Sequence, residues 1–299
     1  MTGPLDSPRD EMQRRLDPLI SERAPWLYSG RPHHTIARWL LMRMLGYPRT
    51  LDLGARFRDS TTDEIFSTME KMIVRDIEVA GLEHIPKEGP ALIVTNHPTG
   101  IADGIVLHSL IGRVRRDLFV YANQDILRVL PQLENVIVPV EWRSEKRTMA
   151  KTRATMEQTR AWLADGRIGL IFPSGRLAKR SGLTLHERPW MASAAMIARK
   201  TDVPVIPLRL RARNSALFYL FDAIHPTLRD VTLFYEVLNK AAQQFQVTVG
   251  APVMPGSLPG KSEEAIEMLR RITLSLPEPV DTRPVSTSRL VQRRIIKHV

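Results

Sequence analysis

Two side chains of the 299-residue sequence, His97 and Asp103, can carry proton-transfer chemistry as a pair. They lie in the stretch Ile93-Val94-Thr95-Asn96-His97-Pro98-Thr99-Gly100-Ile101-Ala102-Asp103-Gly104. A neutral imidazole takes a proton from an alcohol near neutral pH, and a carboxylate on its other nitrogen fixes the tautomer and stabilises the imidazolium that forms. Such general-base catalysis contributes roughly two to four orders of magnitude in rate. On one continuous helix these two positions face different ways, because each residue turns the helix by about 100°. The break at Pro98 and Gly100 must therefore bring them together. The same residues also suit a histidine that lines a loop and an aspartate near a helix start, where negative charge complements the dipole.

The elements that position the pair follow from periodicity. An apolar, partly β-branched run precedes Asn96, and residues 101–110 have helical spacing, so the local reading is strand, turn, helix. Further strands are predicted at 78–80, 91–95, 118–121, 136–140, 168–172, 203–210 and 246–249, with helices at 104–110, 144–163, 190–200 and 216–224. That alternation implies an α/β fold: a mixed, largely parallel sheet flanked by helices. Such sheets place ligands beyond the carboxyl ends of their strands, so His97 and the segment 172–176 can share one edge. Helices at 9–19, 35–45 and 61–74 form an N-terminal helical region, residues 1–75. The α/β domain is expected over 76–280, with a helix from Ser262 to about residue 276, and a basic tail over 281–299. Pro204 and Pro207 are expected near a sheet edge or strand end.

In Phe172-Pro173-Ser174-Gly175-Arg176-Leu177-Ala178-Lys179-Arg180, the glycine permits close backbone approach while Arg176, Lys179 and Arg180 concentrate positive charge. An anionic phosphate or carboxylate headgroup is the natural guest. His186, before the next helix, reads as a loop histidine near the same mouth.

Asn96-His97 followed by Asp103, the strand before it, the lead-in Val79-Ala80-Gly81-Leu82-Glu83-His84-Ile85-Pro86 and the block at 171–176 resemble the glycerolipid acyltransferases, including the lysophosphatidic acid acyltransferases. The resemblance spans roughly residues 76–252. That family carries His-x4-Asp and Phe-Pro-Glu-Gly-Thr-Arg blocks. Here five residues separate His97 from Asp103, a variant associated with the hemolysin-like and ornithine-lipid branches. Ser174 stands where the family has its glutamate, and Arg176 and Leu177 where it has threonine and arginine.

The resemblance implies an acyltransferase that moves a fatty chain from acyl-CoA or acyl-carrier protein (acyl-ACP) to a hydroxyl of a lysolipid, in phospholipid metabolism. His97 is implied as the base and Asp103 as its partner. Asn96, Arg143, Ser174, Gly175, Arg176 and Lys179 are implied as substrate-binding residues. Arg143, in Pro139-Val140-Glu141-Trp142-Arg143, is similar to the arginine that holds the acceptor headgroup, a role that suits a forked guanidinium. Backbone amides near Gly175 are candidate oxyanion donors. No metal and no cofactor beyond the acyl co-substrate is expected.

The absence of cysteine excludes disulfides and thiol catalysis. A net charge of +11 calls for an anionic partner. Without zinc-ligand spacing or an aromatic RNA-binding signature, an anionic membrane surface is favoured over nucleic acid. The run at 35–45 sets Trp39, Leu40, Leu41, Met44 and Leu45 beside Arg38 and Arg43, which suits an interfacial helix. No run approaches the ~18 apolar residues of a spanning helix, and no signal pattern opens the chain. The expected location is cytoplasmic, peripheral to the inner membrane face. The Pro255–Ser262 stretch fails as a phosphate-binding P-loop because proline occupies the first glycine position. Two alternatives stand beside the acyltransferase reading: a lipid or ester hydrolase using the same pair to activate water or a serine, the serine version lacking a Gly-x-Ser-x-Gly elbow, and a non-enzymatic basic membrane-surface binder.

Overall fold

The structure, a computed structural model, describes residues 7–74, 76–141, 143, 146–182, 184–278 and 283–286. Four helices come first: α1 (Pro8–Arg23), α2 (Pro32–Met44), α3 (Tyr47–Arg56) and α4 (Thr62–Ile73). The Ser7 hydroxyl accepts from the Asp10 amide, and that of Thr61 from the Glu64 amide, while each acidic side chain reaches back to its cap. These reciprocal bonds satisfy amides that a helix start leaves unpaired. Helix α3 is not foreseen by periodicity, because Pro48 and Gly54 interrupt its sequence. Gly54 is there for packing: a Cβ would fall 2.6 Å from Met12 Cγ on α1.

Among the described residues, eight strands form one sheet in the order β10-β1-β9-β8-β2-β5-β3-β4. They are β1 (Asp76–Ala80), β2 (Ala91–Thr95), β3 (Leu118–Asn123), β4 (Ile137–Val140), β5 (Ile168–Ile171), β8 (Val205–Arg211), β9 (Phe245–Val249) and β10 (Arg283–Ser286). Strands β8, β2, β5, β3 and β4 run parallel, whereas β9 is antiparallel to β8 and β10 to β1. A two-stranded hairpin, β6 (Lys179–Ser181) and β7 (Thr184–His186), stands apart from this sheet, where sequence suggested a loop. The remaining helices are α5 (Ile101–Ile111), α6 (Asp125–Val129), α7 (Met149–Ala164), α8 (Ser193–Thr201), α9 (Ala216–Ile224), α10 (Pro226–Val231), α11 (Leu233–Leu238) and α12 (Ser262–Ser275).

The core has two layers because the parallel strands are covered on both faces. Ile65, Met69 and Ile73 of α4 and Val106, Leu107 and Leu110 of α5 pack on one face with Ile93 and Leu170. Ala194 and Ile197 of α8 and Ile266 and Leu269 of α12 pack on the other with Leu92, Val94 and Phe119. All five residues of β2 are buried, which explains why its sequence is a continuous apolar run.

Pro207 corrects one expectation: it lies inside β8, between β2 and β9, not at an edge. The ladder to β9 begins only at Leu208, and beside Pro207 the Gly250 amide donates to its carbonyl at 2.8 Å, so no strand pairing needs the missing N–H. Ser262, expected as the cap of α12, is its first residue instead, with its hydroxyl taken by Arg199. Most of the basic tail over 281–299 lies outside the described residues.

His108 of α5 stacks on Phe66 of α4 with ring centroids 3.6 Å apart and planes at 9°. Burial pushes its pKa from 6.5 down to about 4, opposed weakly by Asp63. The unfolded chain therefore binds this proton at a higher pH than the folded one. The stability due to neutral His108 is complete above pH 6.5 and is lost as pH falls towards 4. Urea unfolding of the wild type is expected to lose up to ~3 kcal/mol over that window through this group. His108→Leu should remove that part of the pH dependence.

Candidate active site

His97 emerges past the carboxyl end of β2, the strand flanked by β8 and β5. The chain turns at Pro98 and Thr99 and reaches Gly100, the N-cap of α5, at φ +97°, a conformation L side chains rarely adopt. Asp103 then falls at the third position of the helix, where a carboxylate can fold back on the cap. Its Oδ2 accepts from the Gly100 amide at 3.0 Å and the Thr99 amide at 2.9 Å, and Oδ1 accepts from the Thr99 hydroxyl. His97 Nδ1–H completes the set, donating to Oδ2 at 2.9 Å. Asp103 is completely buried, and the helix N-terminus favours its charge. An ionised carboxylate only accepts, so the neutral ring carries its proton on Nδ1 and leaves Nε2 as the acceptor. Among the described residues Nε2 has no protein partner, and the side chain is 19% exposed.

A second arm, residues 172–190, closes on the same turn. Phe172, just past β5, sets its ring centroid 4.2 Å from that of His97. The His97 carbonyl accepts from the Ala178 amide at 2.9 Å, and its amide donates to Glu187 Oε2 at 3.2 Å. The catalytic candidate is thus held at its ring, its N–H and its C=O. The sharing of one sheet edge by His97 and the 172–176 block is as the parallel order requires, since β2 and β5 are neighbours.

Residues 76–211 match the acyltransferase family model. A lyso-glycine lipid O-acyltransferase of Phocaeicola vulgatus is 25% identical over 235 residues, covering 75% of this chain and 82% of that protein. One of Bacteroides thetaiotaomicron is 26% identical over 244 residues, covering 80% and 87%. Over this stretch the chain is similar to glycerolipid acyltransferases. Among solved structures, the 1-acyl-sn-glycerophosphate acyltransferase PlsC of Thermotoga maritima aligns over 80% of this chain and 94% of its own, at 16% identity and a TM-score of 0.46.

Around the dyad, the structure separates the other sequence-derived site residues. Asn96 is engaged with β8: its side-chain N–H donates to the Leu210 carbonyl at 2.8 Å and its Oδ1 accepts from the Leu210 amide at 2.8 Å. It extends the β2–β8 pairing past Thr95 and fixes where the turn begins. Arg143 lies beyond β4, three strands from β2. Its guanidinium pairs with Glu141 at 3.0 Å, Glu22 at 3.2 Å and Asp125 at 3.6 Å, and its side chain is only 10% exposed. Instead of standing free for a headgroup, Arg143 ties α1 to the segments after β3 and β4. Glu22, held by Lys146 foremost and by Arg128 and Arg143, has its pKa drawn down to about 2.

Gly175 adopts φ +58° and its amide donates to the Phe172 carbonyl at 2.9 Å, so it closes a turn and is not free to bind an oxyanion. Ser174 is buried, with its hydroxyl on the Arg176 carbonyl at 2.9 Å. Arg176 and Lys179 are exposed beside the dyad's arm. Arg180 lies over the Tyr219 ring of α9 at 4.9 Å.

Two features escaped the sequence reading. Glu187 sits in a charged, unremarkable tetrapeptide, and only the hairpin's return brings it to His97. Lys240, fully buried, donates to Glu236 at 2.9 Å, Asn214 Oδ1 at 2.6 Å and the Arg213 carbonyl at 3.0 Å, and its charge also reaches Asp103. A Glu-Lys pair at this spacing reads in sequence as a solvated helix face.

Asn96→Ala is expected to cost roughly 1–3 kcal/mol, because it unpairs both backbone groups of Leu210 in the sheet. Urea denaturation checks this, and a loss under half a kilocalorie would remove the clamp assignment.

Proposed function

We propose that this protein moves a fatty acyl chain from an acyl thioester to the hydroxyl of a lysolipid, with His97 as general base and Asp103 as its orienting partner. The observation that carries the reading is the 2.9 Å bond from His97 Nδ1 to Asp103, which leaves Nε2 facing the open carboxyl edge of the sheet. In the proposed step Nε2 takes the hydroxyl proton as the acceptor oxygen bonds to the thioester carbonyl carbon. The tetrahedral intermediate then expels the thiolate by C–S cleavage, and the imidazolium returns the proton to that sulfur. The products are an ester and a free thiol, with no acyl-enzyme. The exposed Arg176 and Lys179 are suited to an anionic headgroup. Both candidate donors, acyl-CoA and acyl-ACP, are acidic and suit a chain of net charge +11. The two bacterial relatives named for a lyso-glycine lipid support an acceptor of the lysolipid class.

Access to such an acceptor is proposed to come through α2. Among the described residues this helix has no fully buried position, and Ile36, Trp39, Leu40 and Met44 are 66%, 63%, 57% and 45% exposed. Their spacing puts them on one face. Arg43 lies 6.0 Å from the Trp39 ring centroid, and Arg38 lies over Tyr28 at 4.6 Å. Helix α9 packs on the same small core and exposes Leu220 and Ile224. No helix among the described residues is long and apolar enough to cross a membrane, whereas a tryptophan-bearing face with arginines suits the interface of an anionic bilayer.

Purified protein given labelled acyl donor with a panel of lysolipids should form the diacyl product. His97→Ala should lower that rate at least ~10³-fold with the fold intact by circular dichroism. Free fatty acid as the main product, with or without acceptor, would point to hydrolysis. Trp39→Asp/Leu40→Asp should abolish co-sedimentation with anionic vesicles at low salt while leaving Tm unchanged. Equal binding by this variant and the wild type would exclude α2 as the contact.

A further inference from the structure

The family's later block carries a glutamate where this chain has Ser174, so the arm beside the base has lost a negative charge in sequence. In space it has another. Glu187 returns to this place from the far side of the β6–β7 hairpin. Its Oε2 accepts from the His97 amide at 3.2 Å, and its Oε1 accepts from Trp190 Nε1–H at 3.1 Å. The Ser174 hydroxyl lies between two acceptors, the Arg176 carbonyl and this carboxylate.

The surroundings of Glu187 are not those of an ordinary surface carboxylate. Burial raises its pKa, and hydrogen bonds from Trp190, His97 and Ser174 work against that rise. The charge acting on it is that of His97, with no lysine or arginine paired to it among the described residues. Arg188 beside it turns to the Leu177 carbonyl, and Arg270 of α12 reaches the Glu187 backbone carbonyl at 3.5 Å, not the carboxylate. On the other side of the imidazole stand Asp103 and, behind it, the Lys240–Glu236 pair. A partly buried carboxylate with no fixed cation gains most when its neighbour becomes positive. In this site that neighbour is the base at the moment it takes a proton.

We infer that Glu187 is a positioning residue for His97, which fixes the base through its backbone amide and supplies in space the carboxylate that Ser174 lacks in sequence. The inference rests on the reading of His97 as general base. It makes the hairpin arm part of the acyl-transfer machinery: Phe172 backs the ring, Ala178 holds the carbonyl and Glu187 holds the amide.

The test compares wild type, Glu187→Ala, Glu187→Gln and Glu187→Ala/Ser174→Glu by kcat, KM and Tm, and by 15N NMR of the His97 imidazole, identified by its loss in His97→Gln. Glu187→Ala should lower kcat about 10- to 100-fold with KM changed less than about threefold, the size of effect expected when a reacting group is slightly misplaced. The His97 imidazole 15N signals should move and broaden as the ring loses its fixed orientation against Asp103. Glu187→Gln, which keeps the shape and one acceptor, should fall between, and it carries the comparison if Glu187→Ala fails to fold. Adding Ser174→Glu should restore most of the rate and the wild-type imidazole signals. A kcat within about twofold of wild type in Glu187→Ala, unmoved imidazole 15N signals, or no recovery in a folded double variant would each overturn the assignment. A wild type that transfers acyl chains to no lysolipid would defeat the acyl-transfer reading, and the NMR comparison would still decide the role of Glu187.

Discussion

The site depends on one buried carboxylate. Asp103 has no solvent contact, and a charge in that position is tolerable only when donors replace its water. The Thr99 amide and hydroxyl, the Gly100 amide and His97 Nδ1–H supply them. Three of these four donors also define the turn and the start of α5. Orienting the imidazole and building the helix N-terminus are therefore one event. Gly100 at φ +97° lets the chain double back before the helix begins, so that Asp103 meets His97 across five intervening residues.

The sheet supplies the frame in which that turn can be met from outside. Because β2 and β5 are adjacent and parallel, the segments that follow them open at the same edge. The short antiparallel hairpin then sends the chain back, so that the carboxylate of a residue 90 positions beyond His97 accepts from its peptide N–H. Asn96 performs the matching task on the opposite flank, joining the last step of β2 to β8. His97 is thereby restrained by contacts from α5 and the 172–190 arm, next to an Asn96 fixed on β8, while among the described residues its Nε2 has no protein partner. Restraint of every bond except the reactive one is how a general base keeps its geometry through a proton transfer.

What was legible in the sequence was what one strand or one turn encodes. The apolar runs at 91–95 and 168–171 identified central strands, and the breakers after them located the dyad and the later block. The side-chain pairings that escaped were those decided by distant partners. Arg143 follows a strand as a ligand arginine should, but Glu22 and Asp125, far away in sequence, take its charge. Asn96 neighbours the base, yet Leu210, 114 residues on, takes both ends of its amide. Helix α3 was hidden by the very glycine that lets it approach Met12. Long-range pairing of polar groups has no period, so spacing alone does not reveal it.

The excess of positive charge follows the same division. Arg115, buried at the opposite edge, binds Asp117 and the carbonyls of Pro86, Gly89 and Gly166, closing the loops there. Arg143 and Lys240 are likewise enclosed by carboxylates and carbonyls. Such groups raise the net charge of the sequence without adding to the field a ligand meets, because their partners cancel them at short range. Exposed cations stand on the 172–190 arm at Arg176, Lys179 and Arg180, and on α2 at Arg43. The field an anion meets therefore depends on the placement of these few residues more than on the +11 of the whole chain.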